Sequence, residues 1–91
     1  MAGLDKGNVI GVPCQVKPGP FTGEHLISID TSDGIINGFV HENELKQVSG
    51  KWYVRAVIED VYVDRLRVWL RGSFFTTNGI ATIPREMAVA A

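Results

Sequence analysis

The chain carries one cysteine, two histidines and almost no net charge: nine lysines and arginines stand against ten aspartates and glutamates, a balance of −1. A lone cysteine closes no internal disulfide and supplies no thiolate zinc set, so a reducing, cytoplasmic setting is the expectation. Within Val12-Pro13-Cys14-Gln15-Val16 the thiol reads as a buried, inert side chain rather than a nucleophile. Near-neutrality neither marks a polyanion binder nor forbids a local basic patch. No stretch approaches the roughly 20 apolar residues of a membrane span, and Met1-Ala2-Gly3-Leu4-Asp5-Lys6-Gly7 lacks the cationic start and apolar core of about 7–15 residues that a secretory leader needs. A soluble protein without a membrane partner is therefore expected.

Missing too are a phosphate-binding glycine motif, a nucleophile elbow and a cysteine cluster, so no cofactor is expected and enzyme activity is the minority reading. His25 and His41 are the only histidines. His25 falls in a strand pattern and reads as a partly buried ring. His41, with Glu42 and Glu44 close behind, is the one place where a metal-assisted or proton-transfer site could form, and it would need a third ligand.

What the chain does have is hydrophobic residues, 45% of its 91, enough for one domain over residues 1–91 with its ends, 1–7 and 88–91, expected to fray. The organising run is Arg65-Leu66-Arg67-Val68-Trp69-Leu70-Arg71. Strand side chains alternate between faces, so Leu66, Val68 and Leu70 line a core while three arginines and Trp69 face outward. Lys51 to Val61 is the expected partner strand, with Tyr62-Val63-Asp64 as the tip. One register puts Ile58 opposite Val68, Ala56 opposite Leu70, Val57 opposite Trp69 and Glu59 opposite Arg67.

Glu24 to Asp30 and Ile35 to Val40 form a second hairpin around Thr31-Ser32-Asp33-Gly34. Asn8 to Val16 is a strand whose Pro13 argues for an edge position or a bulge. Lys17-Pro18-Gly19-Pro20-Phe21-Thr22-Gly23 is a stiff loop, with Phe21 expected to pin it to the core. His41 to Leu45 makes a helical turn, Ser49-Gly50 a chain reversal, Ile80 to Ile83 a last strand, and Pro84 opens a second helical turn. The sum is an all-β small barrel of five to six short strands, SH3-like or Sm-like, with an oligonucleotide-binding (OB-like) barrel as the alternative.

Asn78-Gly79-Ile80-Ala81-Thr82-Ile83-Pro84-Arg85-Glu86-Met87 resembles the Gly-x-x-x-Ile-Pro-x-Glu segment of the AbrB-type swapped-hairpin DNA-binding family. In that family a further helix and strand follow the segment, where here only Ala88 to Ala91 remain, so DNA binding is not carried over.

The candidate contact face comprises Tyr53, Arg55, Val57, Arg67, Trp69 and Arg71. An exposed tryptophan ringed by arginines is typical of protein interfaces, and a protein partner or self-association is the first reading. A solvated sheet surface, with Arg67 paired to Glu59, comes second, and single-stranded nucleic acid on the cationic and aromatic groups comes third. Phe21, Phe74 and Phe75 are candidate loop contacts; adjacent Phe74 and Phe75 cannot easily both point inward, so one anchors and the other projects.

Overall fold

The computed structural model describes residues 4–90 and is all-β: a curled antiparallel sheet forms a half-barrel. Among the described residues no helix is long and apolar enough to cross a membrane. Among the described residues nine strands replace the expected five to six, because three short pieces of two to four residues join the sheet. Both expected helical turns are 3₁₀, at Glu42–Glu44 and Arg85–Met87.

Strand β1 (Val9–Pro18) occupies the middle of the sheet rather than its edge. Further along come β2 (Glu24–Thr31), β3 (Gly34–His41), β4 (Leu45–Val48) and β5 (Lys51–Val61). The chain then continues through β6 (Arg65–Leu70), β7 (Ser73–Phe74), β8 (Ile80–Pro84) and β9 (Val89–Ala90). One edge of β1 pairs with β5 from Val9 to Cys14; the other pairs with β9 at Ile10 and Gly11 and with β2 from Gln15 to Pro18. Pro13 stands opposite Tyr53 of β5 and lies where the other edge passes from β9 to β2 with no partner on that side, which is how an interior strand tolerates a residue without an N–H.

The β2–β3 hairpin forms as its turn residues dictate. The Thr31 hydroxyl donates to the Gly34 carbonyl (2.6 Å) and accepts from the Asp33 N–H (3.1 Å), closing the two-residue turn that alternation on either side demands. The Ser32 N–H donates to the Thr82 carbonyl at 2.8 Å and carries the curl round to β8.

In β5 and β6 the expected pairs Ile58–Val68, Ala56–Leu70 and Val57–Trp69 are all present. The pairing of Glu59 with Arg67 is not. A β-bulge between Ile58 and Asp60 sets Glu59 out of the ladder and brings Asp60 opposite Arg67. The bulge inserts one residue on one strand only, which shifts every later pair by one.

Leu66, Val68 and Leu70 are buried with Ile58, Val54 and Ile83 in one apolar cluster that also takes in Ile27, Ile29 and Val40 from the other hairpin. Each such side chain removed from water stabilises the fold by about 1.5–3 kcal/mol. Near the ends, the described residues make ordinary contacts. Leu4 packs on the core and the Gly7 N–H donates to the Ile58 carbonyl (2.7 Å), while β9 pairs with β1; residues 1–3 and 91 lie outside the described residues. Pro84 stands one place before its 3₁₀ turn instead of opening it, and Arg85 Nη1 reaches the Tyr62 and Val63 carbonyls (3.3 Å each), tying the β5–β6 tip down.

Candidate functional site

Because side chains alternate along each strand, the residues between the core positions share the opposite face of the sheet. There the registers align Val9 with Val57, Val57 with Trp69 and Trp69 with Ile80, an apolar row across β1, β5, β6 and β8. Val9 is 39% exposed and Trp69 36%. The indole is held between two neighbours. The Arg71 guanidinium carbon sits 5.7 Å from the ring centroid, and Gly79 lies against the ring edge, where an added Cβ would stand 3.5 Å from Nε1. Arg71 over the ring face is a cation–π arrangement.

Val9, Val57, Trp69, Arg55, Arg71 and Glu44 line a shallow depression of about 190 Å³. It adjoins a larger groove of about 570 Å³ that crosses β9, β1, β5 and β4, floored by Val9, Gly11, Tyr53 and Val89 and rimmed by Lys46 and Arg55. Gly11 shapes that floor: a Cβ there would come within 3.0 Å of a Val89 methyl and 3.4 Å of the Tyr53 Cβ. With no Cβ at this position those two side chains close over β1, and an added one would make them give way by a few tenths of an ångström.

The cations of this face fall into two groups. Arg67 Nη2 lies 3.7 Å from Asp60 Oδ2, and Arg65 Nη1 lies 3.7 Å from Asp64 Oδ1 with its guanidinium 5.1 Å from the Tyr62 ring. No carboxylate among the described residues lies within 4.0 Å of the charged nitrogens of Lys46, Arg55 or Arg71. Thus Tyr53, Arg55, Val57, Trp69 and Arg71 share two adjoining depressions, while Arg67 is engaged with Asp60.

The loop phenylalanines divide. Phe21 is 71% exposed instead of pinned; its loop closes through its own backbone, from the Gly19 N–H to the Glu24 carbonyl (3.0 Å) and from the Glu24 N–H to the Phe21 carbonyl (3.1 Å), and needs no apolar anchor. Phe74 packs against the core, and Phe75, 60% exposed, meets Phe39 edge-on at 5.4 Å.

His41 and Glu44 do not converge on a centre. His41 Nδ1 accepts the Asn43 N–H (3.1 Å) and caps the 3₁₀ turn, whereas Glu44 faces the depression beside Arg55. His25 Nε2 lies 4.0 Å from a Glu42 oxygen. No group of three His, Cys, Asp or Glu side chains among the described residues is placed to hold a metal ion. Burial pushes the Cys14 thiol up to about 11, the opposite of what a nucleophile requires.

Val9, Gly11, Lys46, Ile80 and Val89 were not legible as site residues. Val9 meets Val57 only through the non-local pairing of β1 with β5, and β4 and β9 are too short to show a period. No model of a protein family, no curated protein and no solved structure matches this chain.

Proposed function

We propose that the protein is a non-enzymatic protein-binding module, and first of all a self-associating one, that uses the outer face of β1, β5 and β6. The apolar row Val9–Val57–Trp69–Ile80 carries this reading. An aliphatic stripe ending in a half-exposed tryptophan under an arginine has the composition of an interface centre. A 3₁₀ turn ahead of the last described strand favours an SH3-like or Sm-like barrel over an oligonucleotide-binding one. Lone Cys14 fits a reducing, cytoplasmic setting.

Sedimentation velocity over a wide concentration range tests self-association. The wild type is expected to gain mass with concentration while Trp69→Glu, with an unchanged circular dichroism spectrum, stays a single copy. A wild type that remains one copy throughout would overturn it.

A second reading, single-stranded nucleic-acid binding, is supported by Arg55 and Arg71 beside Trp69, neither within 4.0 Å of a carboxylate among the described residues. It requires oligonucleotide affinity that falls steeply with salt and drops in Arg71→Ala.

A further inference from the structure

We infer that the groove across β9, β1, β5 and β4 receives a peptide segment of a partner protein in which a carboxylate stands beside an aliphatic side chain. The inference rests on reading this face as a protein interface and names the chemistry of what it takes.

Three features define the occupant. The first is size: at about 570 Å³ the groove falls in the range of ligand-sized clefts, roughly 300–1,000 Å³. The second is the floor. Val9, Val89 and the bare backbone of Gly11 make an aliphatic stretch that suits a branched apolar side chain, with the Tyr53 ring as the single aromatic among the groove's described lining residues. Trp69, in the adjoining depression, already carries Arg71 over its face. The third is charge. Lys46, Arg55 and Arg71 stand at the rims of the two depressions, and among the described residues Glu44 is the one carboxylate lining either of them. Three cations without an ion-pair partner among the described residues, against one acid, leave the rim positive in a chain whose total is −1. An incoming carboxylate completes that arrangement, and a guanidinium binds one with two parallel hydrogen bonds. A nucleic-acid strand would instead call for a longer basic track and open aromatic faces.

The test is an NMR titration with three probes: an end-capped peptide of alternating glutamate and leucine, its lysine–leucine counterpart, and oligothymidylate. The glutamate–leucine peptide is expected to shift the Gly11 amide and the Trp69 indole N–H, and the lysine–leucine peptide to leave both in place. The double variant Arg55→Gln, Arg71→Gln is expected to weaken the acidic peptide about tenfold or more, with Lys17→Gln as a control that binds like the wild type. Equal response to both peptides, no response to either, or stronger shifts with oligothymidylate would each overturn the inference. Sedimentation separates its failure from that of the interface reading: concentration-dependent mass lost in Trp69→Glu, with no peptide response, leaves the self-associating face standing without the acidic ligand.

Discussion

Arg67 Nη2 and Asp60 Oδ2 face each other at 3.7 Å across β6 and β5, a pairing that the bulge at Glu59 creates. Both side chains are nearly half exposed, so their attraction is screened and modest. A double-mutant cycle on Asp60→Ala and Arg67→Ala is expected to give a coupling of about 0.2–1 kcal/mol that fades with added salt. The matching cycle on Glu59 and Arg67 should give none; coupling there would mean that the bulge is absent in solution.

Gly79 has φ +98°, and a Cβ on it would approach the Leu70 carbonyl oxygen to 2.6 Å, against backbone that cannot step aside. Gly79→Ala is expected to destabilise the fold by about 1–3 kcal/mol, measured by denaturant unfolding. A shift in Trp69 fluorescence should accompany it, because the glycine abuts the indole.

Much of this architecture is readable from residues whose signal is local. Leu66, Val68 and Leu70 alternate with polar partners, and β5 offers a matching alternation, so the second hairpin and most of its register follow from the sequence. Asp33-Gly34 locates the first hairpin in the same way. The bulge does not follow, because alternation contains no sign of an extra residue until the strands meet. Phe21 was misplaced for a different reason: its loop is satisfied by backbone hydrogen bonds, which side-chain hydrophobicity does not report. The groove was half visible. Tyr53 and Arg55 lie on a legible strand, but Val9, Gly11 and Val89 become neighbours only when distant segments pair.

Core and tip should respond in opposite ways. Leu66 is fully buried, and Leu66→Ala is expected to cost about 2–5 kcal/mol. Val63, 94% exposed at the β5–β6 tip, should tolerate Val63→Ala within about 0.5 kcal/mol. Comparable losses at both sites in urea unfolding would contradict the packing described.

Ser49 has φ +52° ahead of Gly50 at +81° in the tight turn joining β4 to β5. A left-handed conformation costs serine more than asparagine, which tolerates it well. Ser49→Asn is expected to raise stability by about 0.5 kcal/mol, visible as a higher Tm.

Cys14 sets an alkaline dependence whose sign is fixed by its burial. Below pH 9 the thiol is protonated whether the chain is folded or not, and its contribution is fully present. Between pH 9 and about 11 the unfolded thiol ionises while the folded one holds its proton, so the unfolded state binds fewer protons and stability falls as pH rises. Cys14→Ala should flatten that part of the pH profile, and Ellman's reagent at pH 8 should react slowly with the folded protein. Rapid reaction without unfolding would show the thiol to be accessible.

The pairing of β9 with β1 has a consequence for the order of assembly. The first strand of the chain lies between β5 and a strand formed by its last described residues, Val89 and Ala90. A growing chain therefore cannot complete the described sheet, nor the wall that Val89 gives the groove, until residues 89 and 90 are free to pair with β1. Such far-separated pairings also slow folding into the millisecond-to-second range typical of β-sheet proteins. Removing Val89 and Ala90 would thus leave the thirteen buried core residues in place while taking away one wall of the groove.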